Sequence, residues 1–175
     1  EQPVAADPAM RPAPCPPAIA RPKRLSVTEI KTLVRDPYAI YAKHVLRLRP
    51  LNSLMHAPDA LLRGTVLHKV FESFVASTVQ DPANLTRENF LAITDHVLAS
   101  EVAWPDMRLM WRARILRVAD WFLAQEAERQ QTATPIAFEV KGTAQLPDLG
   151  FTLSGTADRI DQDPTGSLHI YDYKT

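Results

Sequence analysis

The C-terminal part of this 175-residue chain limits its fold more than any other segment. Two stretches with the two-residue alternation of strands, 151–162 and 167–174, flank the turn sequence Asp-Pro-Thr-Gly at 163–166. A three-residue loop pairs Asp163 with Ser167 and puts glycine where such hairpins need a left-handed residue. The sequence therefore predicts an antiparallel hairpin with a three-residue loop, or a longer loop of the same parity.

This register brings charged side chains together on one face of the hairpin. Asp158 lies opposite Asp172 and Ile160 opposite Ile170, while Lys174 shares the face of Asp172. Two directly opposed carboxylates have Cβ atoms roughly 5 Å apart and destabilise a hairpin unless something compensates them. Mg²⁺ binds such hard oxygen ligands together with phosphate oxygens, and a lysine can orient a water molecule and neutralise phosphate charge. The pattern predicts phosphodiester chemistry; the alternative is a surface hairpin with solvated charges.

Helix signals dominate the region before the strands. The segment Ser26-Val27-Thr28-Glu29 is a capping box, and Asp36-Pro37 is an N-cap followed by a first-turn proline. Helical periodicity predicts helices over about 26–35, 38–46, 61–77, 86–103 and 105–130. Alternation predicts a first strand around 136–140. The core of the helical region is expected to hold its three tryptophans, Trp104, Trp111 and Trp121.

Composition sets broader limits. Apolar residues make up 46% and charged residues 23% of the chain, as in ordinary globular proteins, and no run of about 18 apolar residues predicts a membrane span. The single cysteine, Cys15, excludes an internal disulfide and fits a reducing compartment. Residues 1–22 hold seven of the fifteen prolines, which is typical of a linker or tail, and the lack of an initiator methionine suggests a piece of a longer protein.

Five motifs in a fixed order resemble one family. They are Leu25–Ile30, Asp36–Ala42, Arg63–His68, Gly155–Asp161 and Asp172–Thr175. Together they resemble the RecB-like branch of the PD-(D/E)XK nuclease superfamily, and within it the C-terminal nuclease domain of the AddB component of alphaproteobacterial AddAB-type helicase–nucleases. The resemblance implies an α/β (α+β) fold, a restriction-endonuclease-like core whose mixed sheet is preceded by a helical region.

The resemblance also implies an activity and its partners. The activity is that of a Mg²⁺-dependent deoxyribonuclease of exonuclease type, in which Mn²⁺ could replace Mg²⁺. The enzyme would act in DNA double-strand-break repair and recombination. The partners would be DNA and an AddA-like helicase–nuclease subunit. The implied metal ligands are His68, Asp158 and Asp172, and the implied catalytic residues are Asp158, Asp172 and Lys174.

Two further acidic residues lie near these positions. Glu72 follows His68 by one turn on the same helix stripe and could reach a second metal or pair with Lys69. Glu139 is expected to be an exposed residue of the first strand, although it could also face the site.

The chain departs from its relatives at two places. Relatives with an iron–sulfur cluster carry a cysteine where this chain has Asp36, so no cluster is expected. Relatives also continue beyond the lysine motif, whereas this chain ends at Thr175. Residues 23–175 are therefore expected to form a nuclease domain truncated after its third core strand, with an exposed sheet edge that favours self-association.

Basic residues in the N-terminal half could meet a polyanion, although a solvated surface is the alternative. The expected contacts to the DNA backbone are Lys23, Arg24, Lys43, Arg47, Arg49 and Arg63. Two other functions stay open on the sequence alone. One is a non-catalytic scaffold that binds DNA or a partner subunit, and the other is a metal-dependent RNA or nucleotide hydrolase.

Overall fold

A computed structural model describes residues 9–11, 13–51 and 57–173. The helices in this part of the chain are α1 (Val27–Arg35), α2 (Pro37–Ile40), α3 (Ala60–Gln80), α4 (Arg87–Glu101) and α5 (Pro105–Thr132). The strands are β1 (Arg24–Ser26), β2 (Thr134–Leu146), β3 (Phe151–Gln162) and β4 (Leu168–Tyr171). They form a mixed sheet of order β1-β3-β2, in which β4 also pairs with β3. None of the helices described is both long and apolar enough to cross a membrane.

The chain forms two compact units. The first comprises Glu1–Asn52 and Thr143–Gly155, and the second comprises Ser53–Gly142 and Thr156–Thr175. In the first unit β1 pairs in parallel with the beginning of β3, so that Leu25 lies beside Leu153. The Leu25 side chain is buried and anchors the start of α1.

The predicted capping box at the start of α1 is confirmed. The Ser26 hydroxyl accepts a hydrogen bond from the Glu29 amide (3.2 Å), and the Glu29 carboxylate accepts one from the Ser26 amide (2.9 Å). Glu29 also binds Lys43 Nζ (2.7 Å) and His44 Nε2 (2.8 Å). Both partners come from a π-helical turn, Tyr41–Val45, that continues α2 in place of the regular α-helix expected up to residue 46. Asp36 caps α2 as predicted.

The second unit is built on α3, α4 and α5. Helix α4 packs against both others, around a core of aliphatic and aromatic side chains that includes Val70, Phe74 and Phe90. The core position of Trp111 is confirmed, and Trp104 packs against the same core. The prediction for Trp121 is wrong, because 63% of this residue is exposed. The buried stripe of α5 follows the helical repeat through Trp111, Ile115, Ala119, Phe122 and Glu126, and position 121 lies beside it.

The predicted hairpin register is confirmed. Ile160 pairs with Ile170, and the Asp163 amide donates to the Ser167 carbonyl oxygen (3.0 Å) across a three-residue loop. Gly166 closes the loop at φ +88°, a backbone conformation that favours glycine. Strand β4 is shorter than predicted, since it ends at Tyr171, and Ile170 is 70% exposed.

The inner face of β3 carries a buried ionic cluster. Arg159 is fully buried and donates to Asp161 Oδ2 (2.7 Å) and to Glu126 Oε2 (2.6 Å) of α5. Gln130 donates to the other Glu126 oxygen (2.6 Å) and to the Thr78 hydroxyl (2.7 Å) of α3. Burial by itself lowers the pKa of the Arg159 guanidinium, but its bonds to Asp161 and Glu126 outweigh this and raise it. Arg159 therefore stays charged and ties β3 to α5.

Replacing Arg159 with methionine should strongly destabilise the protein, because two buried carboxylates lose their counter-charge. We expect the free energy of unfolding, measured by urea denaturation, to fall by about 3–5 kcal/mol. The matched control is Arg87→Met, which removes an exposed pair with Asp120 (3.0 Å) and should cost less than about 1 kcal/mol. Equal losses in the two variants would contradict a central role for Arg159.

The ion pairs of Glu29 should make the stability of α1 depend on pH. Hydrogen bonds from Lys43, the Ser26 amide and His44 lower the pKa of Glu29 from 4.5 to about 2. Because this pKa is lower in the folded state, the stabilisation is present above about pH 4.5 and is lost as the pH falls towards 2.

The measurement is the difference in unfolding free energy between the native chain and Glu29→Gln as a function of pH. This difference should be about 1 kcal/mol near neutrality, the usual effect of a cap, and should shrink in acid. Lys43→Met should raise the pKa of Glu29, measured by NMR titration, whereas Lys31→Met on the exposed side of α1 should leave it unchanged. A difference that does not vary with pH would contradict this account.

Candidate metal centre

Three potential ligands from three elements converge in the second unit. His68 lies on α3, Glu139 on β2 and Asp158 on β3. His68 Nδ1 is 3.7 Å from Asp158 Oδ1 and 3.8 Å from Glu139 Oε1. One ligand atom from each of the three residues lies within 4.8 Å of the other two. A single cation could therefore contact all three side chains.

The backbone of Tyr173 orients two of these ligands. Its amide donates to Asp158 Oδ2 (2.6 Å), and its carbonyl oxygen lies 2.9 Å from His68 Nε2. A carbonyl oxygen only accepts hydrogen bonds, so His68 Nε2 must carry the proton. In the neutral imidazole the lone pair then lies on Nδ1, the atom that faces Asp158 and Glu139.

This donor set fits a divalent metal. The distances from His68 Nδ1 to the two carboxylates are too long for hydrogen bonds, but they suit atoms that share one ion. Metal-binding histidines usually donate their second ring N–H to a carbonyl or carboxylate, as His68 does to Tyr173. The residues present therefore meet the requirements of a cation site with mixed nitrogen and oxygen ligands.

The backbone of β2 is unusual at the position that contributes to this cluster. Glu139 has φ +48°, the left-handed region that non-glycine residues rarely occupy. The apolar face expected from the alternation of this strand is not buried throughout, since Ile136 and Val140 are exposed by 53% and 39%. Glu139 is exposed, as expected, and also joins the cluster, which was the other option left open by the sequence.

Two other residues predicted for the site, Asp172 and Lys174, are not part of this three-residue cluster. Tyr171 is the last residue of β4, opposite Arg159, and continuing that register by one residue would put Asp172 opposite Asp158. The Asp172 side chain is exposed, lines a cavity next to the cluster and is not a member of the three-residue group. Lys174 lies outside the described residues.

Glu72 borders a shallow cavity beside the cluster. The cavity has a volume of about 370 Å³ and is also lined by Thr65, His68, Lys69 and Glu139. Lys69 forms its ion pair with Glu101 of α4, and not with Glu72 as the sequence had suggested. A role for Glu72 at a second metal stays a prediction.

The basic residues predicted to contact DNA belong to different units. In the first unit Lys43 pairs with Glu29, Arg49 donates to the Lys43 carbonyl oxygen (3.1 Å), and Arg47 has φ +57°. Arg63 lies in the second unit, on α3 and beside the cavity that Asp172 lines. Their contacts with DNA stay predictions.

Sequence reasoning did not identify Tyr173, which acts through its backbone and therefore has no distinctive residue signal. It also assigned no role to Arg159 and Asp161, because β3 carries several polar residues and its sequence does not show which of them are buried. The Tyr173 ring packs against the Phe71 ring, with their centroids 5.2 Å apart. Burial raises the pKa of the Tyr173 hydroxyl, and the nearby Arg159 acts to lower it.

Comparison with known proteins identifies relatives over most of the chain. The sequence profile of the PD-(D/E)XK nuclease superfamily matches residues 24–175. An uncharacterized protein of Rickettsia bellii is 31% identical over 156 residues, which cover 88% of this chain and 19% of that protein. An uncharacterized protein of Rickettsia conorii is 32% identical over 160 residues, with the same coverages.

A named relative comes from Streptococcus mutans, where it is one of the subunits of an ATP-dependent helicase/deoxyribonuclease. It is 28% identical over 162 residues, which cover 90% of this chain and 14% of that protein. The chain thus spans less than a fifth of the length of the curated relatives it matches. It belongs to the PD-(D/E)XK nuclease superfamily, and its mixed sheet with the preceding helices is a restriction-endonuclease-like α/β fold.

Proposed function

We propose that this chain is a metal-dependent DNA nuclease domain that hydrolyses phosphodiester bonds. The observation that carries the proposal is the convergence of His68 Nδ1 with the carboxylates of Asp158 and Glu139. The hydrogen bonds of Tyr173 support it, because they fix the tautomer and the orientation that a metal ligand requires. Membership of a nuclease superfamily supports the choice of a phosphodiester as substrate.

The three converging residues would hold the ion in distinct ways. His68 would bind through Nδ1, since Nε2–H is bonded to the Tyr173 carbonyl oxygen. Asp158 would bind through Oδ1, since Oδ2 accepts the Tyr173 amide. A bound Mg²⁺ or Mn²⁺ would lower the pKa of a water molecule and reduce the negative charge at the phosphate.

We also propose that Asp172 and Lys174 act on the side of the substrate. Asp172 would be a further ligand, and Lys174 would orient the attacking water and neutralise charge as it develops on the phosphate. In the reaction the water oxygen forms a bond to phosphorus, the ester P–O bond breaks, and the leaving oxygen takes up a proton.

The wider setting is proposed from the relatives. The Streptococcus mutans protein is by its name one component of a helicase/deoxyribonuclease. By analogy, this domain would act as an exonuclease on DNA ends during double-strand-break repair and recombination in the bacterial cytoplasm. Its partner would be an AddA-like helicase–nuclease subunit.

Titration calorimetry with Mn²⁺ tests the metal site. The native chain should bind Mn²⁺ saturably, and His68→Ala, Asp158→Asn and Glu139→Gln should each weaken binding about tenfold or more. Glu88→Gln, an exposed residue of α4 far along the chain from the cluster, is the control and should bind as the native chain does. If Asp172→Asn abolished binding while Glu139→Gln left it intact, the ligand set would be the one implied by the sequence resemblance and not the one the cluster suggests.

Cleavage of end-labelled linear DNA tests the activity. We expect Mg²⁺-dependent cleavage that Asp158→Asn and Lys174→Met reduce by about 100-fold or more, because the first weakens a ligand of the ion and the second removes the charge that acts on the reacting phosphate. Lys141→Met, an exposed lysine of β2, is the matched control and should retain activity. DNA binding without any cleavage by the native chain would support the non-catalytic scaffold instead.

A further inference from the structure

A second cavity lies in the second unit, beside the candidate metal centre. It has a volume of about 450 Å³ and lies between α3 and α5. Its apolar lining includes Leu67 and Phe71 of α3, with Trp111 and Phe122 of α5. The ring of Trp121, which is 63% exposed, stands at its rim. An aromatic ring at the mouth of an apolar cavity offers a flat surface on which another ring can stack.

The same cavity has a positive border. Arg63 and Arg114 line it, and the side chain of neither makes a hydrogen bond or an ion pair within the part of the chain that the structure describes. A third arginine, Arg129, lies over the Tyr171 ring, with its Cζ atom 5.3 Å from the ring centroid. Its Nη1 atom is 3.8 Å from Glu126 Oε2. Asp172 is the acidic residue of the lining. A ligand with an apolar ring and adjacent negative charges would complement this surface.

Tyr173 connects the cavity to the candidate metal centre. Its ring lines the cavity and packs against Phe71, while its backbone holds His68 and Asp158. Helix α3 likewise contributes to both places, because Leu67 faces the cavity and the next residue, His68, faces the cluster. Whatever occupies the cavity therefore lies beside the candidate metal centre.

We infer that this cavity binds an unpaired nucleobase of the DNA strand next to the cleaved phosphodiester, with the base stacked on Trp121 and the neighbouring phosphates against Arg63 and Arg114. The inference rests on the proposed nuclease function and adds to it a subsite that takes one base of a single-stranded DNA or of a frayed end. A base within a duplex is already stacked on both faces and cannot enter such a cavity. Stacking on an aromatic side chain tolerates any base, so the preference would be for strandedness and not for sequence.

The test is the affinity for a labelled single-stranded oligonucleotide, measured by fluorescence anisotropy in EDTA so that neither metal nor cleavage is needed. Trp121→Ala should weaken binding about tenfold, and Trp121→Phe, which keeps a ring, should restore most of the loss. The control is Leu109→Ala, an exposed residue of α5 outside the cavity lining. A blunt duplex of the same sequence should bind Trp121→Ala and the native chain alike.

A second pair of variants separates this site from general attraction between DNA and a basic surface. Arg114→Ala should weaken binding, whereas Arg117→Ala, an exposed arginine three residues further along α5 and outside the lining, should not. Equal losses at the two arginines, or equal affinities of Trp121→Ala and Leu109→Ala, would overturn the inference. So would unchanged DNA affinity with an altered oligomeric state, because the cavity would then be a protein contact.

The outcome does not depend on whether the chain cleaves DNA. If the native chain hydrolyses no substrate but loses single-strand affinity in Trp121→Ala, the binding site is supported and the nuclease proposal fails. If Trp121→Ala binds and cleaves single strands as the native chain does, the nuclease proposal stands and the cavity inference fails.

Discussion

The guanidinium of Arg159 is fully buried and bonded to carboxylates on two elements, Asp161 of β3 and Glu126 of α5. A charged group in this position is tolerated only while both partners stay in place, so it fixes β3 against α5. Because side chains alternate along a strand, burial of Arg159 also directs the preceding residue, Asp158, to the opposite face. A slip of one residue would exchange the two faces, and the ionic cluster therefore fixes the register that brings Asp158 to His68.

The second constraint is supplied by main-chain atoms. Tyr173 follows directly from β4 and presents its amide to Asp158 and its carbonyl oxygen to His68, so the hairpin and α3 meet at one peptide segment. Its ring packs against Phe71. The Phe71 ring in turn packs against Phe90 and Phe122 of the aromatic core, with centroid distances of 6.3 Å and 4.6 Å. The packing of the core thereby positions the ligands before any ion binds, which lowers the cost of organising the site.

Local signals predicted those parts of the fold whose causes lie within a few residues. The capping box at Ser26 and the N-cap at Asp36 depend on contacts three residues apart, and both were predicted correctly. The hairpin register follows from loop length and from one glycine, Gly166, at positive φ. The existence of α3, α4 and α5 was also predictable, because helical periodicity persists over many residues, whereas their ends differ from the prediction by up to three residues.

By itself, then, the sequence determined the helices, the hairpin and the pairing of Ile160 with Ile170, and its motifs indicated the superfamily that the profile match shows. The tertiary structure alone decided that Glu139 joins His68 and Asp158, that Lys69 pairs with Glu101, and that Trp121 stands at the rim of a cavity. These outcomes depend on contacts between residues 19 to 90 positions apart or on a left-handed backbone in mid-strand, as at Glu139. No local pattern encodes them, since they follow from how the elements pack and not from the propensity of any one of them.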